Sequence, residues 1–385
     1  MAWRQATGPQ STERRAWPNK LSNFFIEKRN AMAELPPTVV PRGDQDWEVL
    51  VPLGALSKWM DEQGLERGEI ETPRLLGGGT QNILLRFERG GRSFVLRRPP
   101  KHLRANSNET MRREARVLAA LSGTDVRHPG MIAACGDESV IGAAFYLMEP
   151  VEGFTPREEM PPLHATDSVI RRAMGFEMVD AISALAAVDY ASRGLSDLGK
   201  TDGYLERQVG RWRAQLESYA EHPGWPGLAG IPGVEEVGAW LTAHRPKDFV
   251  PGIIHGDFHF GNVLFDRESS KLAAMVDWEL TTLGDPLVDL GWLLSAWPED
   301  GSEIGPVKPW VGFPRRAEIV ARYAEKTGRD VSHVDWYEVL ACYKLGAILE
   351  GTFARACAGR APKETGNFLH ASTLSLFARA MNKIS

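Results

Sequence analysis

Cysteine is scarce in this chain. Cys135, Cys342 and Cys357 are scattered through 385 residues with no C-x-x-C pair and no metal-ligand spacing. That excludes a disulfide framework and reads as free thiols in a reducing cytoplasm. Long apolar runs are also missing: none approaches the ~20 residues that span a bilayer. The N-terminus is charged and has no apolar core, so it does not read as a secretory signal. A basic surplus is absent too. With 45 Lys and Arg against 50 Asp and Glu, the net charge of -5 carries no nucleic-acid signature. Neither internal repeats nor low-complexity tracts are evident. What remains is 43% apolar and 25% charged residues, a soluble globular composition, in a chain long enough for two lobes.

The informative stretch is His255-Gly256-Asp257-Phe258-His259-Phe260-Gly261-Asn262, followed by Asp277-Trp278-Glu279. Asn262 and then Val263 to Asp266 read as one short strand, Leu272 to Val276 as a second, with a turn between them. Such a hairpin sets Asn262 beside Asp277 and leaves Asp257 on the loop that feeds it. Phosphoryl transfer uses such a trio: one carboxylate orients the attacking hydroxyl, while an amide oxygen and a second carboxylate hold Mg²⁺ on the nucleotide phosphates. Magnesium takes few protein ligands and leaves the rest to water and phosphate. His255 and His259, four apart, invite a zinc reading, but Gly256 between them argues against a helix presenting both.

HGDFHFGN followed by VDWELTTLGDPLVDLGWL resembles the aminoglycoside phosphotransferase family, a branch of the protein-kinase-like fold. The resemblance implies an α+β, two-lobed fold: a small antiparallel-sheet N-lobe with one main helix, and a large, mostly helical C-lobe. It implies a Mg²⁺-dependent kinase that moves the γ-phosphate of ATP or GTP to a small-molecule hydroxyl. Carried over by position, Asp257 is the catalytic aspartate, Asn262 and Asp277 are metal ligands, His255 orients the loop and Asp289 braces it.

The rest of the chain fits that frame. Residues 1–43 read as an extension, 44–150 as the nucleotide-binding N-lobe, and 151–385 as the C-lobe with the catalytic and metal loops and the acceptor site. A helix is expected over Leu53 to Gln63. A hairpin follows from Asn82 to Arg97 around Gly90-Gly91, then a helix from Glu109 to Leu121 and strands near Met131 to Cys135 and Ala144 to Met148. After Pro150 the pattern turns helical.

Gly77 to Asn82 precedes the hairpin, and Gly78, Gly79 and Thr80 would let backbone amides approach phosphate oxygens. The run is neither a P-loop nor a full G-x-G-x-x-G. Where kinases use a strand lysine paired with a helix glutamate, this strand ends in Arg97 and Arg98. Alternation favours Arg97, with Glu114 as its partner. The segment around Glu149 and Val151 resembles the interlobe hinge, whose backbone would bind a purine. The twelve tryptophans read mostly as core and lobe-interface packing, with Trp297 and Trp310 as alternative walls of an acceptor pocket.

The arginine-rich FVLRRPP segment and long helical C-lobe look closer to the kinase-like domains associated with acyl-CoA dehydrogenases than to antibiotic kinases. That likeness implies a metabolic alcohol or hydroxyacyl acceptor. A nucleotide-binding pseudokinase is the rival from another class, motivated by the strand arginine. Oligomeric state is not legible. No membrane or nucleic-acid partner is expected.

Overall fold

The computed structural model describes residues 47–385 apart from 78–81, 104–105, 299 and 304. The expected extension over 1–43 and the glycine-loop residues Gly78, Gly79 and Thr80 lie outside the described residues. Helix α1 spans Leu53–Glu62. Strands β1 (Glu71–Leu75), β2 (Ile83–Arg89) and β3 (Arg92–Arg98) follow, then helix α2 (Ser107–Leu121), β4 (Met131–Cys135) and β5 (Phe145–Met148). They form one antiparallel sheet in the order β1-β2-β3-β5-β4.

The β2–β3 hairpin closes on Gly90 and Gly91, both left-handed at φ 57° and 78°. Two positive φ values in a two-residue turn match the twist of the strands, and glycine adopts them without steric penalty. β2 alternates buried with half-buried positions along its length. Leu85 and Phe87 pair with Leu96 and Phe94, and this face packs on Leu56 and Met60 of α1. Each fully buried side chain of that size contributes about 1.5–3 kcal/mol. α2 covers the opposite face, burying Met111, Ala115 and Leu118 near Tyr146. β1 was not expected. It carries Pro73, lacks apolar alternation and sits at the sheet edge, where a missing amide is tolerated.

The larger lobe contains α3 (Ser168–Ala186), α4 (Glu206–Ser218) and α5 (Val234–Ala243). Four short strands come next: β6 (Gly252–Ile254), β7 (Val263–Phe265), β8 (Leu272–Met275) and β9 (Thr282–Gly284). Helices α6 (Leu287–Ser295), α7 (Arg316–Thr327), α8 (Val334–Cys357) and α9 (Lys363–Ile384) complete it. Asp167 caps α3 by accepting from the amides of Val169 and Ile170, satisfying donors a helix start leaves open. α8 packs along α9 and against α6 and α4, so this one helix touches most of the lobe. Among the described residues no helix is long and apolar enough to cross a membrane.

Candidate active site

Two small antiparallel ladders carry the site. β7 pairs with β8, and the Val276 amide donates to the Asn262 carbonyl at 2.9 Å, so the hairpin expected from the sequence places Asn262 beside the segment that begins at Asp277. β6 pairs with β9, Ile254 opposite Thr282. The loop after β6 and the loop before β9 therefore leave from adjacent positions, and these hold Asp257 and Asp277.

The first turn of the Asp257 loop is buried and pinned. Asp289, on α6, accepts from the His255 amide at 2.7 Å and the Gly256 amide at 2.9 Å. It thus has the bracing position expected of it. Burial pushes its carboxyl up to about 6 while these two amides pull the other way. His255 is fully buried, with Nε2 3.0 Å from the Val276 carbonyl and Nδ1 3.4 Å from the Asp257 amide. Burial takes the imidazole down to about 4, so it is neutral near pH 7, and its neighbours assign Nε2 as donor and Nδ1 as acceptor. Gly256 sits at φ 89°, and a Cβ there would meet the Leu280 carbonyl at 2.6 Å. Only glycine fits both constraints.

Asp257 is half-buried, with His259 Nε2 3.5 Å from its carboxylate. The Asn262 side-chain nitrogen donates to both the Asp257 carbonyl (2.9 Å) and its Oδ2 (3.0 Å), which leaves the Asn262 side-chain oxygen for another partner. Phe260, in the same loop, is buried against Trp297, Trp310 and Phe313. Trp297 and Trp310 are 1% and 6% exposed, and the Trp297 indole donates to the Pro314 carbonyl. They anchor the loop from beneath and do not wall a pocket; the expectation that they line the acceptor site is corrected.

Asp277 adopts a left-handed backbone, φ 66° and ψ 65°, ahead of the short 3₁₀ turn Trp278–Leu280. Such conformations cost a non-glycine residue ~1–3 kcal/mol and cluster at functional sites. The Trp278 indole, donating to the Met275 carbonyl at 3.0 Å, helps hold it.

From the N-lobe, Arg97 reaches down. One guanidinium nitrogen lies 2.7 Å from Asp277 Oδ1, and Nε lies 3.0 Å from Glu114 Oε2. The second approach is close but off the N–H direction, so it is an ion pair without a formed hydrogen bond. Tyr146 donates to the same Glu114 oxygen at 2.9 Å. Burial works against the Arg97 charge, but Glu114 and Asp277 outweigh it and raise the pKa. Burial lifts Glu114 to about 7 against the pull of Arg97. Arg98 turns away and donates to the Leu50, Pro99 and Ile141 carbonyls. Of the two arginines, Arg97 is the one paired with Glu114 and Asp277.

In the segment expected to act as the hinge, the Glu149 amide is committed to the Gly130 carbonyl at 2.8 Å, and its side chain is exposed, 3.5 Å from Arg92. A purine at Glu149 would therefore meet its carbonyl and not its amide. Val151 is half-buried just beyond.

Among the described residues, no group of three His, Cys, Asp or Glu side chains could hold a metal alone. The set present still fits magnesium: one aspartate and one amide oxygen, both half-exposed, suit an ion that keeps its waters and phosphate ligands. Three contacts carried no sequence signal: Tyr146 on Glu114, Arg113 of α2 donating to the Leu198 and Thr281 carbonyls, and Lys344 of α8 donating to the Gly256 carbonyl. Each joins segments far apart in the chain.

Comparison with known proteins agrees with this geometry. Acyl-CoA dehydrogenase family member 10 of Mus musculus is 29% identical over 294 residues, which cover 74% of this chain and 27% of that protein. Family member 11 of Rattus norvegicus is 29% identical over 315 residues, covering 80% and 39%. The chain thus spans well under half the length of these relatives. A Ralstonia eutropha structure provisionally described as an aminoglycoside phosphotransferase superposes with a TM-score of 0.70 at 29% identity, over 86% of this chain and 98% of that one. A thermostable mutant of aminoglycoside phosphotransferase APH(4)-Ia shares the fold, with a TM-score of 0.56 at 14% identity over 85% and 98%. Residues 72–332 match the phosphotransferase enzyme family, and the chain, with its small antiparallel N-lobe and helical C-lobe, belongs to that family.

Proposed function

We propose that this protein is a kinase that transfers the γ-phosphate of ATP, or of GTP, to a hydroxyl group of a small molecule in the cytoplasm. The observation that carries the reading is that Asn262 donates to Asp257, that its carbonyl pairs with the Val276 amide next to Asp277, and that Arg97 reaches Asp277, which brings three separate segments together. Asp257 is the catalytic residue, placed to accept or orient the hydroxyl proton of the acceptor. Asn262, its amide nitrogen turned to Asp257, presents its oxygen to a metal, and Asp277 supplies the carboxylate. Mg²⁺ held there would offset charge on the β- and γ-phosphates. Arg97, steadied by Glu114, binds the non-transferred phosphates. The hinge at Glu149 and Val151 takes the purine through main-chain groups. The site's contribution is positioning and electrostatics more than covalent chemistry.

The relatives support a choice among acceptors. Their names point to acyl-CoA metabolism, which favours an alcohol or hydroxyacyl compound over an aminoglycoside. The decisive experiment measures ATP and GTP binding with and without Mg²⁺. It then follows nucleotide consumption across aminoglycosides, choline-like alcohols and hydroxyacyl-CoA compounds. Metal-dependent binding that Asp277→Ala weakens, with turnover on one acceptor class, is the expected result. Mg-dependent binding with no turnover on any acceptor would favour the pseudokinase instead. Binding indifferent to both metal and Asp277→Ala would end the reading.

A further inference from the structure

The peptide group immediately before Asp257 is unusually free to turn by its own chemistry. Gly256 has no side chain and lies in the left-handed region at φ 89°, so nothing local fixes the direction in which the next residue leaves. Yet the polar atoms around that peptide are all engaged. The Gly256 amide is held by Asp289 at 2.9 Å, the Asp257 amide lies 3.4 Å from His255 Nδ1, and the Gly256 carbonyl accepts from Lys344 Nζ at 2.8 Å. Lys344 comes from the middle of α8, some ninety residues downstream. Its ammonium lies 4.2 Å from the Trp292 ring of α6 and 5.6 Å from the Trp212 ring of α4. Three helices therefore converge on one carbonyl.

Aromatic faces attract a cation and are worth more where water is excluded. A lysine lost in the core would give up its charge; here burial brings it down to about 8 while Asp257 and Asp289 hold it up. It therefore stays mostly charged near pH 7. Nothing in the phosphoryl-transfer scheme requires a lysine at this place, and a purely packing role would be filled as well by methionine.

We propose that Lys344 is a positioning residue for the reaction: by fixing the Gly256 carbonyl within its tryptophan box, it sets the angle at which Asp257 presents its carboxylate to the acceptor hydroxyl. The inference rests on the kinase reading above. Misplacing a reacting group by an ångström can cost about a hundredfold in rate, so a loosened peptide should be read in kcat and not in nucleotide binding.

The test compares the full-length wild type with Lys344→Met, Lys344→Arg and, as a control, Asp277→Ala. It measures Mg-ATP turnover with the acceptor found in the screen, or with water, alongside thermal unfolding. Lys344→Met is expected to lower kcat about ten- to a hundredfold while the KM for ATP stays within about twofold. Lys344→Arg, which restores a cationic donor, should recover part of that loss. A folded Lys344→Met enzyme with undiminished kcat overturns the proposal, as does an equal fall in kcat for the methionine and arginine variants. If Lys344→Met does not fold, Trp212→Leu, on the half-exposed wall of the box, gives the same reading: lowered kcat at constant KM supports the proposal and unchanged kcat overturns it. An inactive Asp277→Ala beside a fully active Lys344→Met sinks the role of Lys344 alone. Turnover untouched by Asp277→Ala sinks the kinase reading and this inference with it.

Discussion

The two sides of the cleft hold their functional groups by different means. On the C-lobe side, the turn at His255 and Gly256 is buried and pinned from several directions: Asp289 accepts from two amides, the Val276 carbonyl faces the imidazole, and Lys344 donates to the Gly256 carbonyl. On the N-lobe side, Arg97 crosses to Asp277 through one guanidinium nitrogen, and its other carboxylate contact is imperfectly aligned. A buried hydrogen-bonded network resists rearrangement, because breaking a member leaves a desolvated group unpaired. A side chain held by one good hydrogen bond and one poor one can let go when phosphates arrive. The floor is preorganised; the roof is adjustable.

The difference can be broken experimentally. Replacing the carboxylate proposed as catalytic should do most: Asp257→Ala is expected to cut turnover about 10²–10⁴-fold, the usual contribution of a positioned general base. Nucleotide affinity by titration should change little. Next comes the brace. Asp289→Asn places an amide group against two backbone donors, and losing hydrogen bonds to a buried charge costs about 1.5–3 kcal/mol each. Lower thermal stability and lower kcat should appear together, in contrast with the kcat-only effect expected at Lys344.

On the N-lobe side, Arg97→Lys keeps the charge but not the planar fork that reaches Glu114 and Asp277 together. ATP affinity should fall about tenfold, equivalent to 1.4 kcal/mol, with little change in stability. An unfolded Arg97→Lys protein would contradict the picture of an adjustable roof. Tyr146→Phe is smaller still in its effect on turnover. It strips a donor from buried Glu114, at a cost of ~1–3 kcal/mol read by denaturant unfolding.

Acid pH probes the C-lobe side through two groups. With its carboxyl raised to about 6, Asp289 loses one of its two accepting oxygens as pH falls through that value, and kcat should decline there. Stability moves differently. Asp289 binds its proton more tightly folded than unfolded, so its contribution to stability falls as pH rises from the ordinary carboxylate range toward 6. His255, depressed to about 4, contributes oppositely: the unfolded chain takes up its proton first, so stability is lost as pH drops from about 6.5 toward 4. A kcat-pH profile beside unfolding curves at the same pH values separates the two. Persistence of the acid limb in Asp289→Asn would show that another group sets it.

Much of the site was legible because its signals are local. D-x-x-x-x-N with a hairpin behind it fixes Asp257, Asn262 and Asp277 within 21 positions, and the period of two in β3 singled out Arg97 over Arg98. Helix positions were legible from apolar spacing, with ends shifted by a few residues: α2 begins at Ser107 where Glu109 was expected. The misses have physical reasons. β1 breaks the alternation rule because an edge strand has one half-covered face and room for Pro73. β6 and β9 are three residues each, too short to show a period. Trp297 and Trp310 were misplaced because residue type cannot tell an aromatic that lines a cavity from one that fills it.

The chain's own pattern thus determined which residues could do the chemistry and roughly which elements carry them, since backbone periodicity and motif spacing are written along one dimension. Only the tertiary structure decided what holds them. Lys344, Tyr146 and Arg113 each act on a partner tens of residues away through a single donor. A contact of that kind leaves no periodic trace, because it exists only once the helices have packed.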